Sequence, residues 1–171
     1  DHPLSELPVL TRTTMMEHFD DVVTDRSIRL QDVRTHMAAL KSDQHYLNRY
    51  WVTATSGSSG QPGIFLFNRP EWATVIASFA RGQEWGGLKV DLRYRRKIAV
   101  VSSTSALHMS FRVGLTIQSP WVKTLRLAAA EPLPTIVQQL NDFQPEVLVA
   151  YASMARILAE EQHAGRLQIK P

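Results

Sequence analysis

Tyr50-Trp51-Val52-Thr53-Ala54-Thr55-Ser56-Gly57-Ser58-Ser59-Gly60-Gln61-Pro62-Gly63-Ile64-Phe65-Leu66-Phe67 reads as strand, glycine loop, strand. Two apolar runs rich in aromatic and β-branched side chains bracket residues 55–63, which hold three glycines and four hydroxyl side chains. Glycine lets a backbone turn tightly and bring its N–H groups close to an anion, and Ser and Thr hydroxyls add donors. The pattern predicts a hairpin whose tip cradles a phosphate. Its spacing is not GxxxxGK(S/T), and no lysine closes it. A Gly/Ser run also serves as a flexible spacer, but spacers are seldom bracketed by apolar strands.

Outward from this hairpin the chain alternates. Pro70, after Asn68, opens a predicted helix through Trp72, Ile76, Phe79 and Ala80 that stops near Gly86-Gly87. Ile98-Ala99-Val100-Val101 is a short apolar run of the kind found in strands covered on both faces, and it ends in Ser102-Ser103-Thr104-Ser105. A buried helix is expected over 107–117, a strand over 122–127, a helix over 136–143 and a second buried strand over 146–150. Ser153 is expected to cap a last helix that stops at Gly165. Strand and helix in alternation predict an α/β fold with a mainly parallel sheet flanked by helices.

The first 49 residues read as a helical segment. Thr13-Thr14 precede Met15, Met16, Phe19, Val22 and Val23, and Leu30, Val33, Met37 and Leu40 recur at helical spacing. The methionines are expected to fill core. Lys41 to Asn48 reads as a polar, exposed connection. Two segments follow: 1–49, helical, and 50–171, α/β.

The chain has 171 residues, enough for a buried core, with 44% apolar and 20% charged residues, as in soluble globular proteins. It has no cysteine, which excludes disulfides, thiolate metal sites and a cysteine nucleophile and fits a cytoplasmic location. No apolar run is long enough to cross a bilayer, so no membrane partner is expected. Six histidines are scattered without metal-binding spacing to carboxylates, so no protein-held metal is expected. Charge is uneven: residues 1–50 carry six Lys/Arg against eight Asp/Glu, whereas residues 81–126 carry nine against two. Arg93-Tyr94-Arg95-Arg96-Lys97 is the densest basic patch. It reads as a solvated loop before a strand, as a contact for an anionic ligand, or as a nucleic-acid stripe.

The run Thr55-Ser56-Gly57-Ser58-Ser59-Gly60-Gln61-Pro62 resembles the phosphate-binding signature of the adenylate-forming enzymes, usually T-S-G-(S/T)-(S/T)-G-x-P, and most of all its phenylacetate–CoA ligase-like branch. Glu131-Pro132-Leu133-Pro134, Leu140-Asn141-Asp142-Phe143-Gln144-Pro145-Glu146-Val147-Leu148 and Tyr151-Ala152-Ser153 are similar to that branch's approach to its substrate pocket. Leu7-Pro8-Val9-Leu10-Thr11-Arg12 is a fainter echo. The resemblance implies the N-terminal portion of an acyl-CoA ligase, an enzyme that joins a small carboxylic acid to ATP as an acyl adenylate and then to CoA as a thioester. ATP with Mg2+ and CoA are the implied cofactors. Thr55, Ser56, Ser58 and Ser59 would hold the β- and γ-phosphates, with Gly57 and Gly60 permitting the approach. The family's loop commonly ends in lysine or threonine after its proline, where this chain has Gly63.

Strand ends are where ligands collect in such sheets. Ala106-Leu107-His108-Met109 resembles a second superfamily motif near the acyl pocket, without its usual proline, which makes His108 a pocket residue. Tyr151 and Ser153 match positions that begin a pocket-lining helix. A core histidine and a plain helix cap are the structural alternatives at these positions. Arg112 and Lys123 are expected at the surface, where they could screen phosphates. The residues that hold Mg2+, adenine and ribose in the resembled ligases, and the lysine of their C-terminal domain, have no counterpart here. The chain alone is therefore expected to be inactive and to need the C-terminal part of the ligase as its partner. Self-association is a further expectation, and nucleic acid is not an expected partner. The alternative functions are a non-catalytic nucleotide- or phosphate-binding module and a basic nucleic-acid-binding domain. Catalytic residues are not assigned.

Overall fold

A computed structural model describes residues 3–40, 42–57, 60–87, 95–117 and 120–171. Along them run α1 (Arg12–Glu17), α2 (Phe19–Val22), α3 (Leu30–Ala39), β1 (Trp51–Ala54), β2 (Ile64–Phe67), α4 (Arg69–Trp85), β3 (Arg96–Ser102), α5 (Met109–Thr116), β4 (Val122–Ala128), α6 (Leu133–Phe143), β5 (Val147–Ala150) and α7 (Ala152–His163). The chain divides into two units, Asp1–Ala73 with Ala106–Arg112, and Thr74–Ser105 with Val113–Pro171. The fold is mixed α/β, and its three-stranded parallel sheet is flanked by helices.

In the first unit Thr11 caps α1, its Oγ1 accepting the Thr14 N–H at 3.2 Å. The stretch from Met15 to Val23 is two short helices, broken at His18 (φ −109°, ψ 26°). Met16 and Phe19 are buried on either side of the break. β1 and β2 form the antiparallel hairpin that the sequence predicts, in register from Trp51 opposite Phe67 to Ala54 opposite Ile64. Met16, Phe19, Ile28, Val33, Tyr46, Tyr50, Val52 and Ile64 make the core beneath it. Tyr50 donates its hydroxyl to Asp25 at 2.7 Å. With the hydroxyl bond from Ser27, this bond holds the Asp25 carboxyl down to about 2.

Arg112 departs from the expected surface position: its side chain is fully buried. It donates to the carbonyls of Gln44 (2.7 Å), Val52 (3.3 Å) and Ala106 (3.4 Å) and to Asp43 Oδ1 (3.2 Å). A buried guanidinium persists only where acceptors replace water, and the fork geometry suits several at once. Burial pulls its pKa below the ordinary value, while the neighbouring Asp43 carboxylate opposes that shift. The polar stretch before β1 is accordingly no mere exposed connection. Asp43 and Gln44 are ligands of Arg112, and Tyr46 and Tyr50 are buried about a turn in which Leu47 and Asn48 adopt positive φ. Lys41 lies outside the described residues.

In the second unit the strand order is β4-β3-β5, all parallel, with Val100 level with Arg126 on one side and Val149 on the other. One face buries Ala99, Val101 and Leu127 against Ile136, Val137 and Leu140 of α6 and Leu158 of α7. The expectation that 98–101 and 146–150 are covered on both faces is corrected here. Ile98 and Val100 are half-buried and Val149 is 45% exposed. β5 is an edge strand, and on the second face Arg126 points its guanidinium to the Gly114 carbonyl of α5. α7 starts with Tyr151, not Ser153, at its cap, because β5 runs into the helix with one extended residue between them. No helix among the described residues is long and apolar enough to cross a membrane.

Replacing Arg112 with methionine keeps bulk but leaves the carbonyls of Gln44, Val52 and Ala106 without this donor and takes the buried cation away from partly exposed Asp43. The loss expected in urea unfolding is about 3–5 kcal/mol, and an unchanged midpoint would contradict the pinning role.

Candidate functional site

The loop 55–63 is closed by a clasp one step beyond the last pair of the hairpin. Thr55 N–H donates to the Gly63 carbonyl at 3.0 Å, and Gly63 N–H donates to Thr55 Oγ1 at 2.9 Å. Within the clasp Gly60 N–H donates to the Gly57 carbonyl at 3.0 Å. Gly57 (φ +69°) and Gly60 (φ +114°) take backbone conformations that favour glycine, and a Cβ on Gly57 would stand 3.1 Å from the Gly60 oxygen. Thr55 is thus the loop's fastener, its oxygen engaged as an acceptor while its proton can still be donated. Ser56 is exposed, and among the described residues the backbone N–H groups of Ser56, Gly57 and Gln61 donate to no protein acceptor. Those donors at a glycine turn are what an anion requires. Ser58 and Ser59 lie outside the described residues.

Gly63 is buried, and the reason is steric. A Cβ there would meet Phe65 Cε2 at 3.2 Å and Arg12 Cδ at 3.3 Å. On the other edge of β1, Ala54 N–H donates to the Leu107 carbonyl at 2.8 Å, which brings half-buried His108 to the root of the loop. The histidine carbonyl accepts the Arg112 N–H at 3.1 Å, so the pinned arginine and the loop share one framework.

A second group lies wholly in the other unit. β3 and β5 are neighbours whose carboxyl ends carry the Ser102–105 run and Tyr151. Ser103 N–H donates to the Tyr151 hydroxyl at 3.2 Å, and Ser105 N–H donates to Ser103 Oγ at 3.2 Å. The chain leaves β3 toward β4 on one side and reaches β5 on the other, the arrangement whose crevice takes ligands in open α/β sheets. Tyr151 is 45% exposed and Ser153 is exposed on the first turn of α7. Lys123, at the surface as expected, holds its Nζ 5.6 Å from the Phe143 ring centre. Arg93 and Tyr94 of the basic patch lie outside the described residues. Arg96 pairs with Glu146 at 3.7 Å, and Lys97 donates to the Phe143 carbonyl at 3.1 Å.

One cluster has no forerunner in the sequence pattern. A cavity of about 490 Å³ in the first unit is lined by His36, Asp43, Gln44, His45 and Asn48. The Nε2 atoms of His36 and His45 are buried without a hydrogen-bond partner. The His45 ring lies tilted at 47° against Trp51, centre to centre 4.1 Å, and Trp51 stacks at 5.4 Å on buried Trp72. Burial, then the charges of Arg112 and His45, lower the His36 pKa. Among the described residues no three His, Asp or Glu side chains are placed to share a metal ion.

No family model matches this chain, and comparison with curated proteins and with solved structures likewise finds no significant match.

Because His36 titrates below its ordinary 6.5 in the fold, its neutral form contributes stability that is complete above that value and is lost as pH falls through the lower folded one. The urea midpoint should drop from pH 8 to pH 5, and His36→Gln should flatten that drop; parallel profiles would refute it. Gly57→Ala, which forces a methyl group into left-handed backbone, is expected to cost about 1–2 kcal/mol in the same assay.

Proposed function

We propose that this chain is the N-terminal part of an acyl-CoA ligase-like enzyme of the adenylate-forming superfamily, phenylacetate–CoA ligase-like branch. Loop 55–63 receives the β- and γ-phosphates of ATP. The observation that carries this reading is the loop's construction: a Thr55–Gly63 clasp at the hairpin end, two glycines at positive φ, and N–H groups at Ser56, Gly57 and Gln61 that have no acceptor among the described residues.

In the reaction a carboxylate oxygen of the acid bonds to the α-phosphorus while the bond from that phosphorus to the bridging oxygen breaks. Pyrophosphate leaves with the electron pair. The CoA thiol then attacks the acyl carbon, loses its proton, and AMP departs. The loop's part is to hold the leaving pyrophosphate, positioned and partly neutralised by donors already in place. Mg2+ carried by the ATP would add charge neutralisation at the phosphates, and no side chain of this chain is assigned to hold it. Tyr151 and Ser153 are assigned to the acid substrate on the strength of the resemblance, and the Tyr151–Ser103 bond supports a positioning role for Tyr151.

Pyrophosphate, ATP and MgATP should each raise the melting midpoint of the purified chain, a ligand at a hundred times its Kd adding about 2.7 kcal/mol. Gly57→Ala should abolish that shift, while acid-dependent pyrophosphate release from the chain alone should be absent. No shift with any of the three ligands would sink the phosphate-loop reading.

A further inference from the structure

We propose that Asp43 is a proton-controlled latch on the buried arginine. While His45 is neutral, Asp43 Oδ1 stays on Arg112; when His45 takes up a proton, the same oxygen moves to His45 Nε2, and the grip of Arg112 on β1 loosens. Two distances to one oxygen carry this. Asp43 Oδ1 accepts from Arg112 Nη2 at 3.2 Å, and His45 Nε2 stands 3.9 Å from that same oxygen. A bond between a cationic N–H and a carboxylate is ordinarily about 2.7–2.9 Å. Oδ1 therefore sits loosely on the arginine and just outside the reach of the imidazole. His45 Nε2 is buried without a hydrogen-bond partner, so a proton there must find its acceptor inside the protein. Asp43 has room to turn. Its side chain is 37% exposed and lines the cavity of about 490 Å³ together with His36, Gln44, His45 and Asn48.

The proton balance is simple. A neutral imidazole carries one N–H and one bare nitrogen, and a proton from solvent adds to the bare one. Nε2 is then a donor whichever tautomer the ring began as. The imidazolium attracts the Asp43 carboxylate and repels the guanidinium. Around His45 stand Asp43 on its own segment, His36 on α3 with Tyr46 edge-on to it at 5.5 Å, and Arg112 on α5, while β1 presents the uncharged Trp51 ring. After burial, the charges of Arg112 and His45 are what lower the His36 pKa, so the three basic groups form one cluster beside Asp43. What the latch holds is the root of the glycine loop, because Leu107, five residues before Arg112, accepts the Ala54 N–H at 2.8 Å. After the hand-over Arg112 keeps the carbonyls of Gln44, Val52 and Ala106 but has lost this countercharge beside a second cation.

NMR of the whole chain from pH 8 to pH 5 tests this, following the imidazole nitrogens, the Arg112 side-chain N–H groups and the Ala54 amide. The Arg112 signals should move with the midpoint of His45. Exchange of the Ala54 amide, corrected for its intrinsic pH dependence, should quicken at least about tenfold across the same transition, the scale of one charge-assisted contact. His45→Gln should abolish both changes, whereas His36→Gln should leave them in place. Asp43→Asn should leave Ala54 exchange fast at both ends of the range. Arg112 signals that stay fixed while His45 titrates, that follow His36 instead, or that still move in His45→Gln would overturn the latch, as would a His45 that does not titrate in this range. The wild-type titration decides the matter by itself if a variant fails to fold.

Discussion

A single buried cation organises the first unit. Arg112 cannot lie in a dry interior without acceptors, and the acceptors it finds come from three separate stretches of chain: 43–44, Val52 and Ala106. The segment Ala106–Arg112 is thereby held against β1, and Leu107 takes the N–H of Ala54 at the strand's end. The root of the glycine loop is fixed from one edge by that contact and from the other by β2. Replacing such a group by a hydrocarbon of equal volume can leave stability unharmed in some proteins, but only when its partners are replaced too. Here Gln44, Val52 and Ala106 accept through backbone carbonyls, which cannot be exchanged.

The second unit is organised differently, by apolar burial. Ala99 and Val101 on the central strand lie beneath α6, whose Ile136, Val137 and Leu140 form one inward stripe. That single face is well filled, while the opposite face leaves Val149 open on the edge strand. The central strand and β5 bring the serine run and Tyr151 together at their carboxyl ends, although 48 residues separate the two bonded groups. A parallel sheet does this by construction, since each crossover returns the chain to the same end.

Much of this was legible in residue order. The hairpin about 55–63 followed from two apolar runs and a glycine cluster, and α4 from Asn68, Pro70 and the helical spacing beyond them. Asn68 and Glu71 indeed cap that helix reciprocally, at 2.7 and 3.0 Å. The break at His18 was not legible, because Met15 through Val23 has the apolar spacing of one helix. Nor was the cap of α7, since a serine in the first turn and a serine at the cap look alike in sequence. In the site, the positive φ of Gly57 and Gly60 suits the predicted loop, whereas the engagement of Thr55 Oγ1 by Gly63 was hidden.

What the sequence by itself determined is local: periodicity, turn chemistry, and a loop composition with the donors and backbone freedom an anion needs. These depend on residues within a few positions of one another, so order alone expresses them. What only the tertiary structure decided is which distant residues share a place. Arg112 became a buried pin instead of a surface charge, His36 and His45 came to line one cavity, and the stem of Arg12 came to rest on Gly63. An arginine's role is set by whether water or carbonyls surround it, and that is a property of the packed chain.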